Sequence, residues 1–134
     1  MVDYVGSIHV VLAAGLPMSV AETQTFSNQA KGILSENDIA DLKIELALNP
    51  TKGVVIPGTG GVRKYRIPHG SKGKSGGARV IHYFHDREMP IYLLAIYSKA
   101  EKINLSDVER AMMRKLEKEL VTTYRIRDMP KMIS

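Results

Sequence analysis

Residues 58–84 read GTGGVRKYRIPHGSKGKSGGARVIHYF, and the fold can be worked outward from this stretch. Segments 62–67 and 79–84 are rich in β-branched and aromatic residues, and a run of glycines and basic residues separates them. This pattern predicts two strands joined by a long hairpin loop. Segment 91–97 is apolar on both faces, which is typical of a central strand that is covered on both sides. We therefore expect a three-stranded antiparallel meander.

The positive charge of the chain is concentrated around this stretch. Residues 46–85 contain seven lysines and arginines and no acidic residue, although the net charge of the whole chain is only +5. The rest of the chain is therefore slightly acidic. A local cationic field steers polyanions and contacts phosphates, so a nucleic acid or another acidic partner is expected. A solvated cationic loop is the alternative interpretation.

Length and composition limit the number of domains and the classes of site that the chain can contain. A chain of 134 residues fits one domain, and the absence of cysteine excludes a disulfide framework, a thiol nucleophile and a zinc–thiolate site. No apolar run approaches the length that crosses a membrane, so no membrane partner is expected. These features suit a cytoplasmic protein.

The N-terminal half predicts one strand and two helices. Residues 18–23 alternate weakly as a strand does, and helical spacing begins at Phe26 with Thr25 as its expected N-cap. Ser35 and Asp38 open a second helix with a capping-box-like start, and Pro50 follows its end. After the meander, Ser106 and Glu109 predict a capping box on a final helix. The expected fold class is α+β, with the order β-α-α-β-β-β-α, an N-terminal helical hairpin and a small antiparallel-rich sheet.

The expected boundaries leave a segment at each end of this domain. Residues 1–17 are interpreted as an N-terminal extension that the domain can dispense with, although an extra strand is the alternative. The domain itself is expected to span residues 18–121. Residues 122–134 are expected to form a basic C-terminal tail.

The candidate site comes from strand periodicity. Alternate residues of a strand share a face, so Lys64 and Arg66 lie together and Arg63 faces the other way. In a meander, residues from three strands then converge on one surface, and the candidate catalytic residues are Lys64, Arg66, Arg79, Tyr97 and Lys99. Cations around a phosphate stabilise the charge that develops in phosphoryl transfer, and crowding by like charges makes Lys64 a better proton acceptor. The 2′-hydroxyl of RNA supplies the nucleophile, so neither a metal nor a cofactor is expected.

Some further residues are candidates for RNA contact, and two other motifs do not fit the nucleotide or metal site that they resemble. The candidate RNA-binding residues are Arg63, Lys72, Lys74 and His82. Residues 73–75 look like the end of a phosphate-binding P-loop, but Pro68 stands where that motif needs glycine. His82 and His85 point to opposite faces of a strand and make a poor metal pair.

The run IPGTGGVRKYRIPHGSKGKSGGARVIHYF from Ile56, followed by PIYLLAIYSKAEKINLS from Pro90 and a capped helix, resembles the RelE/ParE superfamily of toxins, and within it the HigB type. The resemblance implies a RelE-like fold and an endoribonuclease that cuts mRNA in the ribosomal A site without a metal. It also implies a cognate helix-turn-helix antitoxin, through which the complex binds operator DNA. By strand position, Lys64 and Arg66 match the paired basic residues of the family, and Arg79 matches the arginine after the hairpin loop. Lys99 approximates a later basic position, and Tyr124 is the alternative to Tyr97 as the functional tyrosine.

Two other functions remain open from the sequence. A ParE-like inhibitor of DNA gyrase would act on the same fold by binding a protein, so Lys64, Arg66 and Arg79 would be individually dispensable. A non-catalytic nucleic-acid-binding module would bind less tightly at higher salt and would yield no cleavage product.

Overall fold

The computed structural model describes residues 4–11, 17–67, 77–98 and 104–127. The six strands are β1 (Tyr4–Val11), β2 (Pro17–Thr23), β3 (Val54–Val55), β4 (Arg63–Ile67), β5 (Ala78–Tyr83) and β6 (Ile91–Ser98). The three helices are α1 (Gln24–Ala30), α2 (Glu36–Leu48) and α3 (Asp107–Arg127). The predicted order of elements is confirmed, and β1 and β3 are added to it. α3 continues past residue 121, where the domain was expected to end.

The sheet is mixed and mostly antiparallel, with the order β1-β2-β6-β5-β4-β3. β4, β5 and β6 form the predicted antiparallel meander. β2 lies parallel to β6 on its other side, with Val20 opposite Ile91. The prediction that residues 91–97 form a doubly covered central strand is confirmed, because all seven of these residues are buried.

Helices cover both faces of the sheet. On one face, α1 and α2 bury Phe26, Ala30, Leu42 and Leu46 against a cluster that includes Tyr65. On the other face, Leu120 of α3 packs with apolar residues of β5 and β6 and with partly buried residues of its own helix. The sheet therefore supplies both hydrophobic cores, and its two faces are distinct environments.

The first helix begins earlier than the sequence predicts. Thr23, and not Thr25, is the N-cap of α1, because its Oγ1 accepts a hydrogen bond from the backbone N–H of Phe26 at 3.1 Å. The same hydroxyl donates to the carbonyl oxygen of Leu93 in β6 at 3.0 Å. This one side chain therefore caps the helix and ties it to the central strand.

The second helix has the predicted capping box, formed by Ser35 and Asp38. Its buried Lys43 contacts Glu22 of β2 at 2.5 Å, and Ser27 donates to the same carboxylate at 2.6 Å. Burial raises the pKa of Glu22, but its hydrogen bonds to Lys43 and Ser27 outweigh that effect and the pKa lies below its ordinary value. Because the charges are paired and hydrogen-bonded, the ion pair fixes α2 on β2.

The glycine-rich segment before β4 is a structural loop that contacts α3. Thr59 is fully buried, and its Oγ1 donates to the carbonyl of Ile56 at 2.6 Å and accepts from the N–H of Val62 at 3.1 Å. Gly60 has a positive φ of 80° and lies directly against Glu117 of α3. Among the described helices, none is long and apolar enough to span a membrane.

Candidate nucleic-acid interface

Strand register brings two arginines and a tyrosine into one row across the meander. Arg66 of β4 is opposite Arg79 of β5, and Arg79 is opposite Tyr97 of β6. Lys64 is two residues from Arg66 along β4, opposite Ile81. Since Ile81 packs in the cluster beneath α3, all four residues lie on the α3 side of the sheet. We call the surface formed by Lys64, Arg66 and Arg79 the cationic face.

The three basic side chains of the cationic face differ in exposure. Arg66 is exposed, whereas Lys64 and Arg79 are half-buried. The Nζ of Lys64 donates a hydrogen bond of 2.9 Å to the Oδ1 of Asn104, which lies just before α3. Sequence reasoning did not single out Asn104, because an asparagine before a helix cap has the pattern of an ordinary turn residue.

The opposition of Arg66 and Arg79 has an energetic consequence. Directly opposed residues of an antiparallel pair have Cβ atoms about 5 Å apart, and like charges there destabilise the sheet. Guanidinium groups donate two parallel hydrogen bonds to phosphate oxygens, so two neighbouring arginines can bind one phosphate. The row is therefore suited to binding a polyanion.

Arg63 is on the opposite face of the sheet, as its strand position predicts. Its Nη1 donates to the carbonyl oxygens of Thr51 and Gly53 at 3.1 and 3.2 Å. These bonds hold the turn between α2 and β3 against β4. Arg63 thus does not join the cationic face, and its contacts in this structure are with the chain's own backbone.

The prediction that His82 contacts RNA is wrong in this structure, because its side chain is fully buried. Its Nε2 is 2.8 Å from the carbonyl oxygen of Lys52, and its ring packs edge-on against Tyr65 at 5.4 Å between centroids. Because Nε2 must carry a proton to donate to that carbonyl, Nδ1 is the unprotonated nitrogen. Burial lowers the pKa of His82 to about 4, although the hydrogen bond to Lys52 opposes this shift.

The two candidate tyrosines lie at different places. Tyr97, a candidate catalytic residue, is in the row beside Arg79 but only 4% exposed, so its ring is not available to stack on an unpaired base in this structure. Tyr124 is half-buried, and its hydroxyl donates to the carbonyl of Glu88 in the turn between β5 and β6. That turn is at the opposite end of β5 from Arg79, so Tyr124 is remote from the cationic face. The predicted residues Lys72, Lys74 and Lys99 lie outside the described residues.

One comparison with known proteins agrees with this fold. The family model of the RelE toxin of the RelE/RelB toxin–antitoxin system matches residues 18–134. The match includes β3 to β6 and all three helices, and therefore the whole cationic face. Toxins of this system have a RelB-type antitoxin as their partner. The chain therefore belongs to the RelE family of toxins.

Proposed function

We propose that this toxin is a metal-independent, ribosome-dependent mRNA endoribonuclease of the HigB type, which inhibits translation in the cytoplasm. The observation that carries the proposal is the row in which Arg66 and Arg79 oppose each other, with Lys64 beside them. Two guanidinium groups side by side on a sheet can both donate to the oxygens of a phosphate backbone. The family match supports the part of the proposal that makes the chain a RelE-type toxin.

The chemistry needs only the chain's own cations and the RNA. Lys64 accepts the proton of a ribose 2′-hydroxyl, and the 2′-oxygen attacks the adjacent phosphorus. The bond from phosphorus to the 5′-oxygen breaks, leaving a 2′,3′-cyclic phosphate. The 5′-oxygen takes a proton from water and becomes a 5′-hydroxyl, and the resulting hydroxide takes back the proton held by Lys64. Arg66 and Arg79 stabilise the negative charge that develops on the phosphoryl oxygens. Tyr97 supports Arg79 from the neighbouring strand, and Lys99 adds a further positive charge.

The proposed partners follow from the same function. The substrate is mRNA in the ribosomal A site, and a RelB-type antitoxin neutralises the toxin by covering or distorting the cationic face. We propose that this antitoxin carries a helix-turn-helix domain, through which the complex binds operator DNA.

Primer-extension mapping of a reporter mRNA after induction tests the proposal. We expect discrete cuts within translated codons for the wild-type chain and their loss in Arg79→Ala. Arg66→Gln and Arg63→Gln form a matched pair, because each removes one positive charge from β4 but on opposite faces. We expect Arg66→Gln to reduce cleavage at least tenfold and Arg63→Gln to retain most of it.

Other outcomes identify the competing functions. An intact reporter mRNA in arrested cells would overturn the endonuclease, and loss of gyrase supercoiling activity in the same cells would indicate a ParE-like inhibitor. Binding that weakens equally with every lost basic residue, without any cleavage product, would indicate a passive nucleic-acid-binding module.

A further inference from the structure

A single hydrogen bond connects the cationic face to the start of α3. The Nζ of Lys64 and the Oδ1 of Asn104 are 2.9 Å apart, although the two residues are 40 positions apart in the sequence. This contact joins the middle of β4 to the segment that leads into the C-terminal helix. The lysine amine of the cationic face is therefore directed towards the start of α3.

Asn104 is itself held in place from its C-terminal side. Leu105 is buried in the cluster beneath α3, and its carbonyl accepts a hydrogen bond of 3.2 Å from Arg110. Ser106 and Glu109 form the predicted capping box, with hydrogen bonds of 2.8 and 3.1 Å. The backbone that carries Asn104 is thus anchored on its C-terminal side by packing and by two local hydrogen-bond systems, which fixes where its exposed side chain begins.

We propose that Asn104 is a positioning residue for Lys64; this inference rests on the proposed function of the cationic face. A neutral amide oxygen accepts one N–H of the amine and so fixes the direction of the nitrogen lone pair. It does so without adding a negative charge that would hold the proton on the ammonium. A lysine that must accept a proton from RNA needs a directed lone pair and no neighbouring negative charge. A carboxylate at residue 104 would direct the lone pair but would add the negative charge.

A double-mutant cycle on purified full-length toxin with programmed ribosomes tests this link. We expect Asn104→Ala to lower the single-turnover cleavage rate about tenfold with little change in KM, because the amine is misdirected and the RNA still binds. The double variant Asn104→Ala/Lys64→Ala should cleave no more slowly than Lys64→Ala alone. Independent, multiplying losses would overturn the proposal. Asn28→Ala is the control, because it removes an exposed hydrogen bond of 3.0 Å to Gln24 on α1.

The dependence of cleavage on pH separates positioning from a structural role. In Asn104→Asp a carboxylate replaces the neutral acceptor beside the amine, so the cleavage rate should fall at neutral pH and recover as the pH is raised. A merely structural role would lower the rate equally at every pH. An unchanged pH profile would therefore contradict the proposal.

A measurement that needs no activity tests the contact between Lys64 and Asn104 separately from the proposed function. The two Hε protons of a lysine held in one geometry have different NMR shifts, and we expect those of Lys64 to become equivalent in Asn104→Ala and to stay distinct in Asn28→Ala. Equal shifts in the wild type would show that Asn104 does not fix the Lys64 side chain, and would contradict the inference. A different outcome would separate the two proposals. If the shifts become equivalent in Asn104→Ala but Lys64→Ala still cleaves RNA, the contact holds the lysine and the proposed chemistry is refuted.

Discussion

At the scale of single residues, His82 shows how burial converts a histidine into a source of pH-dependent stability. Its pKa in the folded chain is about 4, whereas an unfolded histidine titrates near 6.5. Between these values the unfolded chain binds a proton that the folded chain does not, so stability falls as the pH falls. Above pH 6.5 this contribution is fully present.

We predict that the free energy of unfolding falls by about 2 to 3 kcal/mol from this residue between pH 7.5 and 4.5. Urea denaturation at both pH values measures it, with His82→Gln as the comparison. Glutamine keeps an N–H donor for the Lys52 carbonyl but does not titrate, so the variant should lose correspondingly less stability on acidification. Equal losses in the two proteins would contradict the burial that the structure assigns to His82.

Thr23 is the second residue whose role the structure decides. We predict that Thr23→Ala lowers the free energy of unfolding by about 1 to 2 kcal/mol, because it removes the cap of α1 and the buried bond to Leu93. Thr25→Ala is the matched control, since Thr25 is exposed and is the second residue of α1, and it should cost little. Denaturant unfolding of both variants makes the comparison, and a reversed ranking would restore Thr25 as the cap.

At the scale of elements, the glycine-rich loop and α3 are joined through Glu117. A Cβ on Gly60 would be 2.6 Å from the Oε2 of Glu117, whereas a Cβ on Gly58 would meet open space. The two glycines have nearly the same positive φ, 80° and 79°. Alanine at either position therefore carries the same backbone strain, and only Gly60→Ala also displaces Glu117 from its 3.0 Å hydrogen bond with Tyr83.

We predict that Gly60→Ala destabilises the fold more than Gly58→Ala by about 1 kcal/mol, the contribution of one such hydrogen bond. Thermal or urea unfolding of the pair provides the measurement. In a Glu117→Ala background the difference should disappear, since no carboxylate is left to displace. A difference that persists there would mean that the loop is held by some other contact.

The elements also show which parts of the structure were predictable from sequence and which were not. Alternation along β4 was enough to separate Lys64 and Arg66 from Arg63, because the period of a strand is fixed by its backbone. The cap of α1 was not predictable, since Thr23 and Thr25 both carry suitable hydroxyls and a tertiary contact with β6 decides between them. His82 lies on the same face of β5 as Ala78 and Val80, which are both buried. This alternation of apolar residues was the sequence signal that His82 occupies a core position.

At the scale of the whole molecule, the cationic face and β1 are on different parts of the sheet. β1 is the edge strand beside β2, whereas Lys64 and Arg66 are on β4 near the other edge. The family match begins at residue 18, after β1. The interpretation of residues 1–17 as a dispensable extension therefore remains a prediction with a direct test.

We predict that a chain beginning at Met18 folds cooperatively with a lower melting temperature, because the pairing of β1 with β2 and the contacts of β1 with α1 and α2 are lost. Its mRNA cleavage should be retained, since the cationic face is unchanged. Circular dichroism melting and primer extension check the two parts separately. Loss of a cooperative transition would show that β1 is an integral strand of the fold.

The parallel pairing of β2 with β6 also bears on how this chain is made. Thr23 and its partner Leu94 are 71 positions apart, so β2 leaves the ribosome long before β6 does. At about 5 to 20 residues per second, that interval lasts on the order of 4 to 14 seconds. During this delay β1 can pair with one edge of β2 as a local hairpin, and the other edge of β2 has no partner until β6 emerges. Nascent chains stalled before and after β6 has emerged should differ sharply in protease resistance, so the toxin gains its finished sheet only near the end of its own synthesis.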